Sequence, residues 1–361
     1  MSPAPLRILH LLNTVRETGN GIINTAMDLA WGQARAGHAV HVASAGGEFE
    51  ARLREWGVTH HRLDQRRRPV TLWRAARALR ALLARERIDV LHAHMMTGAV
   101  LARAARAPRT RGGPLLVGHV HNVYQRSARL MGFADVVLCC GTDVAATMRA
   151  RGVPAARLAV VLNGTVGSPR LPDPSTVAPA PLAHPAVVTV AGMSERKGIA
   201  ELLEAFERVA ARHAGAQLYL VGDGPDRAAF TARAGRGPAA ARIHFAGFQR
   251  DPMPWLRAAD VFVLASRRES FPIVLGEARA AGCAIVATAV DGVPEALDAG
   301  RAGLLVPARD PAALAAALDR LLTDEAERAR WAAAAGEGLA RYRVERMVDE
   351  TVALYRSSLA C

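Results

Sequence analysis

Short apolar runs alternate with longer amphipathic stretches along the whole chain. The short runs are rich in β-branched residues and continuously apolar, which is typical of parallel strands buried on both faces. The longer stretches place their apolar residues at helical spacing. This alternation predicts parallel sheets with helices on both sides, which is the doubly wound α/β class.

The first half of the chain contains six predicted strands. They are Arg7–Leu12, Ala39–Ala43, Val90–His92, Leu115–Val117, Val136–Leu138 and Leu158–Leu162. The helical patterns between them are Ile22–Ala36, Leu72–Arg87 and Thr142–Arg151. A proline-rich segment without periodicity follows, and it is predicted to be a linker between domains.

The same rhythm restarts after the linker with six further predicted strands. They are Ala186–Ala191, Gln217–Val221, Ile243–Phe245, Val261–Leu264, Ala284–Ala287 and Gly303–Val306. The chain then ends in the helical patterns Pro311–Leu322, Glu325–Leu339 and Val344–Leu359.

Two domains are expected, because 361 residues exceed what one hydrophobic core usually supports. We place a first Rossmann-like domain at 1–168, a linker at 169–185 and a second Rossmann-like domain at 186–340. Residues 341–361 are a C-terminal helix that could return to the first domain. Ligands of such folds bind at the carboxyl ends of the strands, and two facing domains would form a cleft.

The charge and the cysteines restrict the class of protein. The net charge is +13, and Lys197 is the only lysine among 46 basic residues. This charge favours phosphorylated ligands and anionic membrane surfaces. A nucleic-acid ligand is not predicted, because the sequence has neither the aromatic signature of RNA-binding domains nor the pattern of a DNA-recognition helix. The four cysteines form no Cys-x-x-Cys pair, so we expect no disulfide framework and a cytoplasmic setting. No run reaches the length of a membrane span or a signal segment.

The first candidate site is the motif that begins at Glu269 and ends at Glu277. It follows a predicted buried strand, and a helix is predicted at 273–281 with Pro272 near its first turn. Free backbone N–H groups at such a start attract phosphate oxygens, and a carboxylate one turn further can accept hydrogen bonds from a ribose diol. The alternative is two ordinary glutamates that complement a helix N-terminus.

Two more loops follow strands of the second half. The first is the loop Ala191-Gly-Met-Ser-Glu-Arg-Lys-Gly198. It would place the cations of Arg196 and Lys197, together with backbone N–H donors, beside a diphosphate. The alternative is a capped turn without a ligand. The glycine spacing of this loop is not that of a Walker A loop. The turn at Gly222 is a weaker signal, because most tight turns after strands have no ligand.

The first half contributes a glycine loop and two histidine pairs. Gly19 and Gly21 join the first strand to the first helix and permit close backbone approach to phosphates. A nicotinamide cofactor is improbable, because Asn24 stands where the third glycine of that fingerprint belongs. His92 and His94 are interpreted as loop histidines, and His121 is the better candidate for touching a sugar. Without a carboxylate or cysteine at ligand spacing, no metal site is predicted.

In combination, these motifs closely resemble family 4 of the retaining glycosyltransferases, which have the GT-B fold. The matching elements, in chain order, are the N-terminal glycine loop, His121-Asn122, Asn163-Gly164, Lys197-Gly198, Gly222-Asp-Gly-Pro225, Glu269-x7-Glu277, Ala280-Ala-Gly-Cys-Ala-Ile-Val-Ala-Thr288 and Gly292-Val-Pro-Glu295. Each motif is weak alone, but their common order over almost the whole chain is specific.

The resemblance implies a role for each candidate residue. Glu277 would hold the ribose of a nucleotide-diphosphate sugar, and Lys197 would neutralise the leaving diphosphate. Glu269 would meet the transferred sugar and the diphosphate together with the backbone of Ser270, Phe271, Pro272 and Ile273. Gly19 and Gly21 would line the phosphate side, and His121 would lie near the sugar or the acceptor. Such enzymes use no metal or cofactor and no protein nucleophile.

Two departures from the family pattern stand out. The family usually has Gly-Arg at the start of the lysine loop, where this chain has Ala191-Gly192, so Arg196 is the candidate second cation. Thr165 and Val166 follow Asn163-Gly164, where an aspartate is common. We expect little consequence from that second departure, because the segment leads into the linker.

The helical pattern Leu72–Arg87 is both basic and amphipathic. Its arginines, with those of the run before it, are Arg66, Arg67, Arg68, Arg74, Arg77, Arg80, Arg85 and Arg87, and its leucines are Leu72, Leu79, Leu82 and Leu83. The leucines are expected to pack on the sheet, while the arginines could attract an anionic membrane.

The function predicted from the sequence is a retaining, metal-independent glycosyltransferase. Its partners would be a nucleotide sugar and a glycan or lipid-linked acceptor, and bacterial relatives build lipopolysaccharide or other surface polysaccharides. We expect it in the cytoplasm, with an inner-membrane surface as a further site of action. The alternatives are a GT-B sugar-nucleotide epimerase and a binding subunit without transfer activity.

Overall fold

The computed structural model describes residues 4–360 of the chain. The predicted first domain and C-terminal helix also include residues 1–3 and 361, which lie outside the described residues. The described chain divides into two compact units. One contains residues 4–164 and 342–360, and the other is Thr165–Arg341.

A seven-stranded parallel sheet forms the centre of the first unit. Its strands are β1 (Arg7–Leu11), β2 (Ala39–Ser44), β3 (Thr59–Arg62), β4 (Val90–Ala93), β5 (Leu115–Val120), β6 (Val136–Cys139) and β7 (Leu158–Val160). They lie in the order β3-β2-β1-β4-β5-β6-β7. All six strands predicted for this half are confirmed. Strand β3 escaped prediction because its sequence, Thr-His-His-Arg, is polar and lies at the edge of the sheet.

Five α-helices connect these strands. They are α1 (Gly21–Arg35), α2 (Phe49–Glu55), α3 (Pro69–Arg85), α4 (Met96–Ala105) and α5 (Thr142–Ala150), with 3-10 segments at Arg109–Arg111, Arg126–Phe133 and Ala155–Arg157. The three helices predicted here are confirmed, and α2 and α4 were not predicted. The leucines of α3 at positions 79, 82 and 83 are buried, as predicted, and its arginines at 74, 77 and 80 are exposed.

The second unit is built around a six-stranded parallel sheet. Its strands are β8 (Ala186–Val190), β9 (Gln217–Val221), β10 (Ile243–Gly247), β11 (Val261–Leu264), β12 (Ala284–Thr288) and β13 (Leu304–Val306). They lie in the order β10-β9-β8-β11-β12-β13, and all six were predicted. The order reverses at β8, so strands β8 and β11 are neighbours although two strands separate them along the chain.

Helices cover both faces of the second sheet. They are α6 (Ile199–Ala210), α7 (Arg227–Ala234), α8 (Met253–Arg257), α9 (Ile273–Ala280), α10 (Val293–Ala296), α11 (Pro311–Thr323) and α12 (Glu325–Gly336). The 3-10 segments are Pro174–Thr176, Glu195–Lys197, Ala240–Arg242 and Asp298–Gly300, and a further one, Leu339–Tyr342, precedes the last helix. Helix α6 buries Leu202, Leu203 and Phe206 in this core. Full burial of such a side chain is worth about 1.5–3 kcal/mol.

The last helix, α13 (Val344–Ala360), packs within the first unit. Its buried Val348 and Tyr355 lie in one apolar cluster with Ile8 of β1 and Leu29 of α1. Helices α1 and α13 approach closely at Gly32, where a Cβ atom would stand 2.5 Å from Val348 Cγ2. A larger residue at Gly32 would therefore push the two helices apart.

Among residues 4–360, no helix combines the length and the apolar character needed to cross a membrane.

Candidate functional site

The Glu269 loop lies where the sequence motif placed it, between strand β11 and helix α9. Pro272 is the residue immediately before α9, with an extended backbone, and no side chain caps this helix start. Glu269, Ser270 and Phe271 are nearly buried, with 9%, 3% and 6% of their surfaces exposed. The loop is therefore packed against its surroundings beside the start of α9, and Ile273 is the first residue of that helix.

The Lys197 loop follows strand β8, the neighbour of β11 in the sheet. Lys197 ends a short 3-10 turn, and Gly198 leads into α6 with φ of +64°. A Cβ atom on Gly198 would lie 1.9 Å from the carbonyl oxygen of Ala265, directly after β11. The backbone of Arg196 also accepts a hydrogen bond from the amide of Arg267 at 2.8 Å. The two loops are thus held against each other by backbone contacts.

Three charged side chains meet between these loops. The Lys197 ammonium forms a close ion pair with Glu269 Oε2, and Arg196 Nη1 lies 3.5 Å from the same oxygen. The buried Ser266 hydroxyl donates a further hydrogen bond to it at 3.2 Å. Two cations around one carboxylate leave a net charge of about +1, so the group attracts an anion although Glu269 belongs to it.

The cations differ in exposure. The Lys197 side chain is 15% exposed, and that of Arg196 is 39% exposed. Water screens an exposed charge strongly and a buried charge weakly. The Lys197 ammonium therefore exerts the stronger field on an anion bound in this region.

The loop between β12 and α10 fixes the backbone of Glu269. The Asp291 carboxylate accepts hydrogen bonds from the Glu269 amide and from Arg268 Nε, both at 2.8 Å. The amide of Gly292 donates to the Glu269 carbonyl at 3.0 Å. A Cβ atom on Gly292 would lie 1.6 Å from the Ser270 carbonyl oxygen, so only glycine permits this contact.

Glu277 lies on α9 with only 6% of its surface exposed. Its Oε1 accepts a hydrogen bond from the Thr165 hydroxyl at 3.0 Å, and Thr165 is itself 4% exposed. The prediction that Thr165 is of little consequence, because the segment leads into the linker, is wrong in this respect. The hydroxyl orients one oxygen of the predicted ribose-binding carboxylate.

Gly222 ends strand β9 in a conformation with φ of +139°. Its Cβ would lie 2.0 Å from the Ala191 carbonyl oxygen, so the turn after β9 packs directly on the start of the lysine loop. The glycine thereby supports the shape of the loop that contains Lys197. Any direct contact between Gly222 and a donor stays a prediction.

The remaining predicted site residues belong to the first unit. Gly19 has φ of +68°, Asn20 caps α1 by accepting a hydrogen bond from the amide of Ile22, and Gly21 is the first residue of α1. The loop therefore presents a capped helix start. The predicted roles of Gly19 and Gly21 on the phosphate side stay predictions.

His121 follows strand β5 and joins a larger group of histidines. Its Nε2 lies 3.0 Å from His94 Nδ1, and its ring stacks on His119 with centroids 3.9 Å apart. Its buried Nδ1 has no hydrogen-bond partner within residues 4–360. Burial lowers the pKa of His121 to about 3, so the imidazole is neutral near pH 7 and its unprotonated nitrogen can accept a hydrogen bond.

The other histidines of this group are buried and neutral as well. Burial lowers the pKa of His10 to about 4 and holds those of His92, His94 and His119 well below the usual range. His10 was not singled out in the sequence. Strand β1, which contains it, pairs with β4 and brings it opposite His92.

Comparisons with known proteins identify the family. The family model described as Glycosyltransferase Family 4 matches residues 19–166, and the model described as Glycosyl transferases group 1 matches residues 184–324. The lipopolysaccharide core biosynthesis glycosyltransferase LpsD of Rhizobium meliloti (strain 1021) is 30% identical over 264 residues, which cover 72% of this chain and 71% of LpsD. The chain belongs to glycosyltransferase family 4. The family predicted from the sequence motifs is therefore confirmed.

A second relative and one solved structure extend this result. The lipopolysaccharide core biosynthesis glycosyltransferase LpsE of the same organism is 34% identical over 152 residues, or 42% of this chain and 44% of LpsE. The chain spans less than half the length of several curated relatives that it matches. The structure of HepE from Anabaena in complex with UDP and glucose matches with a TM-score of 0.82 at 19% identity, covering 98% of this chain and all of HepE. The predicted GT-B fold class is confirmed.

Sequence reasoning missed three supports of the site in the second unit. Ser266 and Asp291 hold the side chain and backbone of Glu269, and Thr165 holds Glu277. Asp291 stands directly before the Gly292-Val-Pro-Glu295 motif, which was the available signal for it. Ser266 had none, because a serine two residues beyond a strand is common.

Proposed function

We propose that this protein is a retaining glycosyltransferase that moves a sugar from a nucleotide-diphosphate sugar to a glycan or lipid-linked acceptor. The observation that carries the proposal is the group formed by Lys197, Arg196 and Glu269 beside the start of α9. Its net positive charge suits the diphosphate of a donor. Membership in glycosyltransferase family 4 supports the same assignment.

The donor would use two parts of the second unit. The diphosphate would lie against Lys197 and the start of α9, where an anion gains from the ammonium and from the helix dipole. Glu277 would accept hydrogen bonds from the ribose diol, with Thr165 holding one of its oxygens. HepE of Anabaena has been solved with UDP and with UDP-glucose, which supports a nucleotide sugar as the ligand class.

The transfer step that we propose needs neither a metal ion nor a protein nucleophile. Charge develops on the diphosphate as it leaves, and fixed cations that are already in place stabilise this charge without reorganisation. Lys197 supplies that cation, and Glu269 keeps its side chain in position. Attack on the face from which the diphosphate departs would retain the configuration at the anomeric carbon.

The names of the relatives and one exposed surface support a proposal for the acceptor and the place of action. LpsD and LpsE are named for lipopolysaccharide core biosynthesis, so we propose an acceptor in lipopolysaccharide or another surface polysaccharide, at the inner face of the cytoplasmic membrane. The start of α3 exposes Val70 and Trp73, with 62% and 58% of their surfaces accessible, and Arg77 stacks over the Trp73 ring. Arginines around an exposed tryptophan favour an anionic membrane surface.

The test begins with UDP, GDP and ADP in a thermal-shift screen of the purified full chain. A nucleotide at 100 times its dissociation constant should stabilise the protein by about 2.7 kcal/mol. The sugars of that nucleotide are then incubated with the protein, and the released sugar is followed by NMR before its anomers equilibrate. We expect slow donor hydrolysis with the configuration of the donor, at the same rate with and without added Mg²⁺ or Mn²⁺.

Each other outcome contradicts a defined part of the proposal. An inverted product would exclude retention, and a rate that requires added cations would exclude metal-independent transfer. Conversion of the donor into an epimeric nucleotide sugar would identify an epimerase. Binding without any turnover in the presence of diverse acceptors would favour a subunit that only holds the nucleotide sugar.

A further inference from the structure

Five histidines of the first unit lie on one face of its sheet. His92 lies on β4 and His94 directly follows it, and His119 lies on β5 and His121 directly follows it, so the two-residue spacing places each pair on the same side. His10 is opposite His92 in the pairing of β1 and β4. These strands meet where the strand order reverses, which is where ligands of doubly wound sheets bind.

Three of these histidines form a compact, fully enclosed group. His10, His92 and His94 have 0%, 0% and 2% of their surfaces exposed. Their ring centroids are 4.3–5.2 Å apart. One ring nitrogen of each lies within 4.8 Å of one ring nitrogen of both others. Zinc binds nitrogen at about 2.0–2.1 Å, so two nitrogens that share one ion lie no more than about 4.2 Å apart, and binding would draw the rings closer together.

Each of the three rings is held from outside by a hydrogen bond on one nitrogen. His10 Nε2 donates to Gln33 Oε1 at 2.8 Å, and His92 Nδ1 lies 2.5 Å from the Tyr355 hydroxyl. His94 Nδ1 lies 3.0 Å from His121 Nε2. Gln33 and Tyr355 are also linked to each other at 3.3 Å. Metal-binding histidines almost always donate their second ring N–H to such a partner, which fixes the ring and its tautomer.

The second nitrogen of each ring is available to an ion in the tautomers that donate the outer hydrogen bonds. With the outer bonds donated, His10 Nδ1, His92 Nε2 and His94 Nε2 carry lone pairs. His10 Nδ1 and His94 Nε2 lie 2.9 Å apart, and His92 Nε2 is buried with no hydrogen-bond partner within residues 4–360. Buried polar atoms of native proteins nearly always have a partner, so His92 Nε2 is a candidate ligand atom. One ion would satisfy all three nitrogens.

We propose that His10, His92 and His94 bind one transition-metal ion of the zinc class through these three nitrogens. Neutral imidazoles without a carboxylate suit Zn²⁺, Cu²⁺ or Ni²⁺ and disfavour Mg²⁺ and Ca²⁺. The ion is structural: it joins β1 to β4 and, through Gln33 and Tyr355, to helices α1 and α13. The site takes no part in the transfer step, whose cations are Lys197 and Arg196.

A second group of three histidines is the alternative metal site. His94, His119 and His121 also bring one ring nitrogen each within 4.8 Å of the others. The ring of His119 stacks on His92 and His121, but neither of its nitrogens has a hydrogen-bond partner within residues 4–360. No second hydrogen bond would therefore fix the tautomer of His119 as a metal ligand. His121 is also partly exposed. The fully supported group is therefore the better site, and His119 becomes the matched control.

The experiment uses the full chain without an affinity tag, stripped with a chelator and then dialysed against Zn²⁺. After gel filtration, we expect one zinc per chain by atomic spectroscopy. Co²⁺ in the same site should give the intense visible absorption of a tetrahedral centre. Failure of the stripped protein to take up stoichiometric zinc, which is the result expected if only water fills the site, would overturn the proposal.

Three variants locate the ion. H92Q should lose stoichiometric zinc, and H119Q should retain it. Y355F keeps the aromatic ring but removes the outer contact of His92, so zinc affinity should fall about 10- to 100-fold, measured by competition with a chromophoric chelator. Zinc kept by H92Q, lost by H119Q, or bound equally well by Y355F would each contradict the assignment. If H92Q does not fold, Y355F and H119Q still decide the question.

Discussion

Replacement of Lys197 by methionine is the sharpest test of the group formed by Lys197, Arg196 and Glu269 in the second unit. Methionine keeps most of the length of the side chain and removes the ammonium. Glu269 then retains Arg196 at 3.5 Å and Ser266 at 3.2 Å, so the net charge of the group falls from about +1 to zero. The carboxylate is still held, and the substitution therefore tests the attraction for an anion rather than the fold of the loop.

The magnitude follows from the exposure of the side chain. Two unit charges 4 Å apart interact by about 1 kcal/mol in water and about 4 kcal/mol at an effective dielectric constant of ~20. Lys197 is 15% exposed, so its interaction with a diphosphate belongs between these values, near the ~1.5–3 kcal/mol of a charge-assisted hydrogen bond. At about 1.4 kcal/mol for each factor of ten, K197M should lower kcat/KM roughly 10- to 150-fold.

Arg196 provides the matched comparison, because R196Q also removes one positive charge from the group. Its side chain is 39% exposed, and exposed ion pairs contribute about 0–1 kcal/mol. We therefore expect less than about a fivefold effect in the same donor-hydrolysis assay. R208Q, which removes an exposed arginine paired with Glu204 on α6, controls for the change in total charge. An effect of R196Q that equals or exceeds that of K197M would refute the assignment of Lys197 as the principal cation.

The remaining predictions concern Glu277, which we propose binds the ribose, the buried Arg279 and the exposed end of α3. E277Q should weaken nucleotide binding about 10- to 150-fold, measured by calorimetry. T165V should weaken it about 2- to 10-fold, because the hydrogen bond that orients one oxygen of Glu277 is lost. Equal affinity of T165V and the wild type would exclude a positioning role for Thr165. R279M removes a fully buried guanidinium that bonds to three carbonyl groups and Asp298. The free energy of unfolding of the second unit, measured in urea, should therefore fall by about 3–5 kcal/mol. A decrease below ~1 kcal/mol would contradict this prediction. W73S should reduce co-sedimentation with anionic vesicles at low salt without changing soluble donor hydrolysis, and unchanged co-sedimentation would exclude Trp73 from docking.

Most strands were predictable because a strand that is buried on both faces has a continuously apolar sequence. Val261–Leu264 and Gln217–Val221 were predicted at the observed bounds, since each is a short apolar run between polar loops. Strand β3 has no such apolar run, because a strand at the edge of the sheet buries less side-chain surface than a central strand. Helix α2 has only seven residues, too few for a clear amphipathic repeat.

The candidate site was predictable as a set of residues but not as a set of contacts. Lys197 and Glu269 are separated by 72 positions, and only the adjacency of β8 and β11 brings their loops together. The position of each loop after a predicted strand singled out both residues, and the likeness of the motifs to a known family implied their roles. The support from Ser266 and the hydroxyl of Thr165 has no signature in the sequence, because short polar side chains in loops are common and most bond to nearby backbone.

The same topological feature lies beside both proposed sites. In each sheet the strand order reverses at one place, between β1 and β4 in the first unit and between β8 and β11 in the second. Connections leave such a pair of strands toward opposite faces of the sheet, so a crevice opens at their carboxyl ends. Lys197 and Glu269 follow the pair in the second unit, and His10, His92 and His94 lie on or directly after the pair in the first. A doubly wound sheet thus brings together two strands that are distant in sequence, and candidate functional side chains are best sought on these strands near their carboxyl ends and on the loops that follow them.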